Sequence, residues 1–302
     1  MNERLVSLYR DIRNWLQGRE TQERTLELLG SMFSALNAEK TGISSLHEVE
    51  FRVFSQWGDD GIIQWLISQM PEMPKRFIEF GVEDYSEATT RFLLVNNNWQ
   101  GLVMDGSSEK IARLKKRKWF WRHELTAISK FLTKDNVDEA IRDWNEGKEI
   151  GILHIDVDGN DYWLWEAIQC IEPTIVIVEY NSLFGPERAI TIPYRADFRR
   201  HLAHYSGQYA GASLAALTAL ADRKGYSLIG CNSAGNNAYY VHSRQLTAGL
   251  RTVPVDSAYV ESRFRDSRDQ NGSLTHLSFT QRQSLIRGLH VVNVRTGNLE
   301  SF

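Results

Sequence analysis

The sequence predicts a doubly wound α/β fold built on a mostly parallel, seven-stranded sheet. Five short, nearly all-apolar runs alternate with amphipathic stretches, as expected for strands that helices cover on both faces. Two later runs separated by a tight turn predict an antiparallel pair that completes the sheet. The expected divisions are a helical extension at 1–50, the sheet domain at 51–244 and a second helical extension at 245–302.

Composition places the chain among ordinary globular proteins. Of its 302 residues, 42% are hydrophobic and 24% are charged, and the formal net charge of −3 gives no bulk attraction to nucleic acid or an anionic bilayer. No apolar run approaches the roughly 20 residues that span a membrane, and the first residues lack the pattern of a signal peptide. Cys170 and Cys231 lie in apolar sequence, so we expect reduced thiols in a cytoplasmic protein.

The first fifty residues contain two apolar stripes at helical spacing. We expect both stripes to dock on the sheet domain, with a dimer contact or a membrane contact as the alternatives. The stripes consist of Leu5, Leu8, Tyr9, Ile12, Trp15 and Leu16, and of Leu26, Leu28, Leu29, Met32, Phe33 and Leu36.

The sheet domain opens with a helix that Asp59 or Asp60 caps and that Pro71 stops. Strands and helices then alternate as far as residue 181. The strands are expected at 76–82, 101–107, 121–128, 151–157 and 174–181, and the helices between them at 86–97, 108–118, 135–146 and 161–171.

A long irregular insertion at 182–212 interrupts this alternation, and loops of such length in a compact domain usually carry function. Ser213 then caps a helix that Gly225 ends. The antiparallel pair follows at 226–232 and 237–243.

This order of elements resembles that of the class I S-adenosylmethionine (SAM) methyltransferases, which have a Rossmann-like fold. The likeness is greatest to the FkbM-type and related sugar O-methyltransferases, and it covers the region from about residue 50 to residue 243. The segment 54–61 also resembles the stretch that precedes the first strand in FkbM-like proteins. The resemblance implies a SAM cofactor and places Gln56 at the border of the cofactor cleft.

The end of the first strand is a candidate part of the site, because ligands of open α/β sheets bind at the carboxyl ends of the strands. Gly81 allows a tight turn and a close approach of the backbone to a ligand. The resemblance implies that Glu79 and Gly81 hold SAM, although the family commonly has glycines where Glu83 and Tyr85 stand. A carboxylate at Glu83 favours a cationic cofactor over the diphosphate of a dinucleotide.

Asp105 ends the second strand, and its carboxylate can accept both hydrogen bonds of a ribose diol. The resemblance implies this role, with Ser107 beside Asp105 in the cofactor site. The alternative is that Asp105 caps the helix that begins near Ser107.

A cluster of oxygen ligands follows the fourth and fifth strands. Asp156 and Asp158 would there meet Glu179 and Asn181, because neighbouring parallel strands end side by side. An all-oxygen set suits Mg²⁺, Mn²⁺ or Ca²⁺, and catechol O-methyltransferase, which this arrangement resembles, holds a divalent ion at the same strand ends. We therefore expect assistance by Mg or Mn. The alternative is that Asp161 caps the next helix while Asp156 binds the SAM amino group.

Methyl transfer to a hydroxyl requires a base, or a cation that lowers the pKa of the hydroxyl. The candidate bases are His154 beside the acidic cluster and His204 in the insertion, with His201 as the alternative to His204. Asp158 is expected to position the cation and the acceptor. Aromatic residues of the insertion that can stack on a sugar are Tyr194, Tyr205 and Tyr209.

A basic and aromatic segment at 110–122 carries seven positive charges. The segment is either the solvated face of a helix or a contact for a phosphate-bearing acceptor, such as a nucleotide sugar or lipid-linked glycan, or for a membrane surface. Single-stranded nucleic acid is disfavoured by the acidic net charge of the chain.

Together these features predict a SAM-dependent O-methyltransferase that modifies a hydroxyl of a sugar or glycan in polysaccharide biosynthesis with the help of a divalent cation. A homo-oligomer is compatible with the sequence. Two alternatives remain: a non-catalytic binding or scaffold protein of polysaccharide assembly, which the altered glycine loop favours, and a metal-dependent phosphohydrolase built on the same acidic cluster.

Overall fold

A computed structural model describes the backbone of residues 3–302 and the side chains of residues 21–302. The strands are β1 Arg76–Phe80, β2 Gln100–Asp105, β3 Leu125–Ser129, β4 Ile152–Ile155, β5 Ile175–Glu179, β6 Ile190–Thr191, β7 Tyr226–Cys231, β8 Asn237–His242, β9 His290–Asn293 and β10 Leu299–Ser301. The helices are α1 Glu3–Ala38, α2 Asp59–Gln69, α3 Arg91–Asn97, α4 Ser108–Lys115, α5 Val137–Asn145, α6 Asp161–Ala167, α7 Arg200–Ala203, α8 Leu214–Lys224, α9 Val255–Ala258 and α10 Phe279–Leu285.

The main sheet has seven strands in the order β3-β2-β1-β4-β5-β8-β7, which confirms the predicted fold class. Strands β1 to β5 are parallel, and β8 runs antiparallel to both β5 and β7. The strand order reverses at β1, because β2 lies on one side of it and β4 on the other. Ligand crevices form at the carboxyl ends of the strands at such a reversal.

Each face of the sheet is covered by a separate apolar cluster. Ile78 and Phe80 of β1 belong to the cluster that α5, α6 and α8 cover, whereas Phe77 belongs to the cluster that includes α2. Glu79 points to the same face as Phe77, since side chains two residues apart share a face of a strand. It is buried there, directly beside His154 of β4. A buried pair of this kind in an apolar sheet is the first structural sign of a site.

Most of the predicted elements are present, but several are shorter than predicted: β3 begins at Leu125 rather than at residue 121, and α6 ends at Ala167 rather than at residue 171. Strands β1, β2, β4 and β5 end two residues before the predicted positions, because the residues that follow leave the sheet and turn over the crevice. Helix α8 is capped by Ser213, which accepts a hydrogen bond from the Ala216 backbone, and it ends at Gly225, as predicted. The predicted cap of α2 is wrong: Gly58 is the N-cap, and both aspartates lie in the first turn.

The docking predicted for the second N-terminal stripe is wrong. Helix α1 contacts the domain through a polar and small face, in which Glu23 pairs with Arg91 at 3.3 Å and Asn37 donates a hydrogen bond to the Val49 carbonyl. Gly30 allows the close approach, because a Cβ there would lie 2.5 Å from Val53. The six apolar side chains of this stripe stay exposed. The first stripe, Leu5 to Leu16, lies outside the described side chains.

The C-terminal segment packs on both the main sheet and the insertion: the Val253 backbone donates to the Leu228 carbonyl of β7, and Ala258 of α9 belongs to the apolar cluster that α5, α6 and α8 cover. This segment contains the short helices α9 and α10 and also the hairpin β9–β10, which the sequence analysis does not predict. Strand β9 pairs with β6 of the insertion, so the two segments share a three-stranded sheet and an apolar cluster. The C-terminal segment therefore fixes the loop that borders the crevice.

Among the described helices, none combines the length and the apolar character needed to cross a bilayer. Both cysteines are free thiols, with Cys231 buried and Cys170 half-buried.

Candidate functional site

A cavity of about 610 Å³ opens at the carboxyl ends of β1, β2, β4 and β5. Its volume lies within the range of small-molecule and cofactor sites, roughly 300–1,000 Å³. All seven residues that the sequence assigns to cofactor binding border it: Gln56, Glu79, Gly81, Glu83, Asp105, Ser107 and Asp156.

The turn after β1 depends on backbone conformations that few residues adopt. Gly81 has φ +79°, and a Cβ on it would lie 1.6 Å from the Asp156 carbonyl oxygen, so only glycine fits where the ends of β1 and β4 meet. Glu83 and Tyr85 also have positive φ angles, of 50° and 58°. These are the two positions at which the resembling family commonly has glycine. Strained backbone of this kind is concentrated at ligand sites.

Asp105 joins two loops of the cavity. Its Oδ2 accepts a hydrogen bond from the Glu83 backbone at 2.8 Å, and its Oδ1 accepts one from the Ser107 backbone at 2.7 Å. The cap of α4 is Ser107, whose hydroxyl accepts from the Lys110 backbone. The alternative that Asp105 caps this helix is therefore wrong. Each carboxylate oxygen keeps further acceptor capacity for a ligand.

Gln56 is brought to the cavity by a buried cluster of hydrogen bonds around Asp60 of α2. Asp60 Oδ2 accepts hydrogen bonds from the backbone of Val53, Phe54 and Ser55 at 2.7–2.8 Å and from the Ser55 hydroxyl. Burial raises the pKa of Asp60 to about 6 despite these hydrogen bonds. This hydrogen-bond cluster fixes the chain on both sides of Gln56. It accounts for the serine at position 55 and the aspartate at position 60.

Glu79 and His154 form a buried ion pair on the cavity floor, with Oε1 of Glu79 2.9 Å from Nδ1 of His154. Burial opposes charge on both residues, but the pKa of His154 is raised by Glu79 and the pKa of Glu79 is lowered by His154 and Thr90. The Thr89 and Thr90 backbones also donate to Glu79. His154 Nε2 is buried and has no partner among the described residues. An orphaned ring nitrogen at a cavity wall points to a ligand.

The carboxyl groups of Asp156 and Glu179 are buried close to other acidic side chains, which disfavours their ionised forms. Burial, and then the neighbouring Asp158 and Asp161, raise the pKa of Asp156 to about 7. Burial and Asp156 raise the pKa of Glu179 well above its usual range. Neither carboxyl is hydrogen-bonded or within ion-pair distance of a cation among the described residues, although Arg200 lies near enough to lower both pKa values in part, and both carboxyls line the cavity. A cation in the cavity would restore both pKa values toward normal.

The predicted metal site is not formed. Asn181 donates from Nδ2 to the Gln208 and Ala210 carbonyls, and its Oδ1 accepts from the Leu183 backbone, so its amide is committed to the insertion. Asp158 is mostly exposed and pairs with Arg200 at 3.1 Å. In the described part of the chain, no three acidic, histidine or cysteine side chains are arranged to hold a metal ion. The residues present therefore do not fit the predicted Mg or Mn site.

Arg200 supplies positive charge where the sequence suggested a metal. Its guanidinium donates to Asp158 and, at 2.8 Å, to Asp266 of the C-terminal segment. Burial opposes this charge, but Glu179, Asp158 and Asp266 raise the pKa of Arg200 above its usual value.

Asp161 is a turn residue: its two oxygens accept from the Val157 and Gly159 backbones at 2.8 and 2.9 Å. It thereby holds the loop that carries Asp158.

The three candidate bases differ in their position relative to the cavity. His154 and His201 border the cavity, whereas His204 does not. The ring of His204 bonds the Ser206 hydroxyl at 2.7 Å and packs on Tyr205, so the assignment of His204 as the base is wrong. The three tyrosines suggested for sugar stacking also lie away from the cavity lining: Tyr194, Tyr205 and Tyr209.

At least three of the seven basic residues of the segment 110–122 pair with acidic side chains. Lys110 pairs with Glu83 at 2.6 Å, Arg117 with Asp84 at 2.7 Å and Arg113 with Glu109 at 3.1 Å. The segment therefore behaves as a charged surface that also braces the turn after β1.

Sequence reasoning missed one wall of the cavity. Lys130, Phe131 and Leu132 follow β3, and Arg199 of the insertion lies over the Phe131 ring at 4.6 Å. Their position directly after a predicted parallel strand was the available signal. Asn160, whose Oδ1 is buried without a partner among the described side chains, was missed as well.

No protein-family model matches the chain, and no curated protein matches it. Among solved structures, it is similar to the N-terminal domain of EvdMO1 with SAH bound (12% identity, 62% of this chain, 80% of that chain, TM-score 0.39). It is similar also to the CurJ carbon methyltransferase (10%, 63%, 56%, 0.41) and to an O-methyltransferase family protein from Burkholderia thailandensis (11%, 64%, 58%, 0.39). The chain thus spans little more than half the length of the last two. Likenesses at this level carry no argument about what the chain binds or does.

Proposed function

We propose that the chain is a SAM-dependent O-methyltransferase that modifies a hydroxyl of a sugar or glycan. The observation that carries this proposal is the pair of partnerless carboxyls, Asp156 and Glu179, whose pKa values are raised at the floor of a cavity of cofactor size. Such carboxyls favour a cationic ligand, and SAM carries both a sulfonium and an ammonium group. A dinucleotide diphosphate would be repelled by the same residues.

The cavity residues fit the other parts of SAM. Asp105 retains acceptor capacity for the two ribose hydroxyls after its backbone hydrogen bonds. Phe131, which contacts Gly106 beside Asp105, offers an aromatic face to the adenine. Asp156 and Glu179 would hold the ammonium group at the opposite end of the cavity.

His154 is the residue best placed to receive a proton from the acceptor. When bound, SAM supplies a methyl group on a positively charged sulfur that a hydroxyl oxygen can attack. Glu79 fixes the His154 ring through Nδ1 and leaves the buried Nε2 without a partner among the described residues, which is the arrangement of a base oriented by a carboxylate. Because Glu79 raises the pKa of His154, the neutral imidazole forms only on the alkaline side of its usual range.

Basic side chains at the cavity mouth suit an acceptor that carries negative charge. Lys130, Arg199 and His201 border the cavity, and none of them has a carboxylate partner among the described residues. A sugar that carries a phosphate, such as a hexose phosphate or a nucleotide sugar, would complement these groups.

Methyl transfer tests the function directly. Purified protein, SAM labelled in its methyl group and a panel of hexose phosphates and nucleotide sugars are incubated, and the products are analysed by mass spectrometry. We expect a methyl ether on one sugar hydroxyl. Retained SAM binding without transfer to any sugar, nucleotide sugar or glycan fraction would favour the binding-protein alternative.

Replacement of Asp105 tests the ribose contact. Asp105→Asn should weaken binding of both SAM and adenosine by ten- to a hundredfold, about the 1.5–3 kcal/mol that hydrogen bonds to a charged group contribute. Calorimetry of both ligands measures the effect. Asp143→Asn, the same change at an exposed position of α5, is the control and should leave both affinities unchanged. Unchanged affinity in Asp105→Asn would remove Asp105 from the site.

Binding of SAM should release protons near neutral pH. Below pH 7 the Asp156 carboxyl, with its pKa of about 7, is largely protonated, and a cation binds its ionised form. Affinity should therefore rise as the pH increases through about 7 and then level off. Calorimetry in two buffers with different ionisation enthalpies counts the protons. Proton uptake, or affinity that falls as pH rises, would contradict the placement of the cation beside these carboxyls.

A further inference from the structure

The exposed face of α1 is the largest apolar surface feature that the described side chains leave open. Six large apolar residues within three turns are 43–64% exposed, which leaves on the order of 500 Å² of apolar surface, at the upper end for a monomer. Four of them, Leu26, Leu29, Phe33 and Leu36, are spaced by three and four residues and form what we call the α1 seam. The seam borders the domain, because the Phe33 and Phe51 rings lie 6.1 Å apart.

The spacing of the seam continues in the sequence toward the start of the same helix. Counting back in heptads from Leu26 and Leu29 reaches Leu5, Leu8, Ile12 and Trp15, with Arg19 and Gln22 at the two central positions. Helix α1 is a single helix of 36 residues, about 54 Å long. Heptad spacing over this length is typical of a helix that pairs with another helix.

We propose that α1 pairs with α1 of a second copy of this chain in an antiparallel coiled coil. The charge at the centre of α1 selects the orientation. Parallel helices would place Arg19 against Arg19 at the centre of the helix pair, where like charges repel. Antiparallel helices instead place Arg19 opposite Gln22 of the other copy. Every apolar seam position then faces an apolar one, with Leu26 opposite the partner's Trp15, Leu29 opposite Ile12, Phe33 opposite Leu8 and Leu36 opposite Leu5.

The size of the interface fits a stable dimer. Each copy would cover the seam of the other with the first half of its own α1, and the described apolar faces of the two copies alone supply on the order of 1,000 Å², about the minimum for a specific interface. The sheet domains attach to the second half of α1, through Glu23, Gly30 and Asn37. An antiparallel pair therefore holds the two domains toward opposite ends of the coiled coil.

A membrane surface is the weaker occupant of this face. Amphipathic helices that bind anionic bilayers flank their apolar stripe with lysine and arginine. Here residues 21–40 contain three glutamates, Glu23, Glu27 and Glu39, against Arg24 and Lys40. The acidic balance of this half disfavours an anionic lipid surface.

Sedimentation equilibrium of the 302-residue chain tests the dimer. We expect a mass of about 69 kDa, twice the chain mass of 34.7 kDa, at micromolar concentration. Leu29→Glu/Phe33→Glu should sediment as a monomer that remains folded, because both residues are largely exposed in one copy, and its unfolding midpoint should no longer depend on protein concentration. Ser31→Glu, on an exposed face of α1 outside the seam, is the matched control and should remain dimeric. A monomeric wild type, or a dimer that survives the double substitution, would overturn the proposal.

Disulfide trapping tests the orientation. In the antiparallel pair, residue 12 of one copy lies opposite residue 29 of the other, so Ile12→Cys/Leu29→Cys should cross-link between copies on oxidation. Ile12→Cys alone should not cross-link, and the wild type, whose Cys231 is buried, shows the background. A cross-link in the single variant would indicate parallel helices and overturn the antiparallel arrangement.

Discussion

Replacing Asp156 with asparagine is expected to weaken SAM binding by about a hundredfold and, at the same time, to stabilise the fold above pH 7. The loss of affinity follows from removal of one partner of a charge pair, which costs roughly 2–5 kcal/mol. Adenosine lacks the ammonium and sulfonium groups, so its affinity should be unchanged. Asp105→Asn, in contrast, should weaken the binding of both SAM and adenosine. The two variants thus separate the ribose end of the cavity from the methionine end.

The gain in stability follows from the raised pKa. The unfolded chain releases the Asp156 proton near its ordinary pKa of 3.8, whereas the native state keeps it to about pH 7. The native state therefore loses stability as pH rises from about 4 to 7, and asparagine removes this loss. We expect the free energy of unfolding at pH 8 to rise by about 1–2 kcal/mol, with little change at pH 4. Urea unfolding of Asp156→Asn and of the control Asp143→Asn measures the effect. Destabilisation of Asp156→Asn at pH 8 would contradict the account.

Glu79→Gln is expected to destabilise the protein more than any surface substitution, by about 3–5 kcal/mol near pH 6, because it leaves the buried His154 without its counter-charge. The stabilisation by Glu79, whose pKa is lowered, is lost as pH falls through its folded pKa. The stabilisation by His154, whose pKa is raised, is lost as pH rises through its folded pKa. The penalty should therefore be largest between these two values and should shrink at alkaline pH.

A double-mutant cycle with His154→Gln isolates the pair. The double variant should be less destabilised than the sum of the two single variants. Glu87→Gln, which breaks an exposed pair with Arg52, is the control and should cost no more than about 1 kcal/mol. Additive effects of Glu79→Gln and His154→Gln would show that the two residues are not coupled.

The sequence predicted what short-range patterns encode. Apolar runs located the parallel strands, and Ser213 and Gly225 located both ends of α8. The acidic residues at the ends of β4 and β5 were found because parallel strands end at one edge. The same logic applied after β3 would have found Phe131, since it follows a predicted strand in the same way.

Long-range placement was not encoded in these patterns. Arg200 reaches the acidic cluster because Asp266, 66 residues later, holds its guanidinium, and because β9 of the C-terminal segment pairs with β6 of the insertion. No local pattern links these segments, so the cluster was assigned to a metal ion. Apolar periodicity likewise located the helix α1 but not its docking face, because contact is made by Gly30 and polar residues and not by the apolar stripe.

The most direct test of the central claim is a crystal structure of the protein with S-adenosylhomocysteine, the demethylated product of SAM. We expect the ribose hydroxyls within hydrogen-bond distance of the Asp105 carboxylate, and the ammonium group beside Asp156 and Glu179. A structure at saturating ligand in which the crevice above Gly81 is empty, or in which the ligand lies elsewhere, would contradict the assignment of this cavity to SAM.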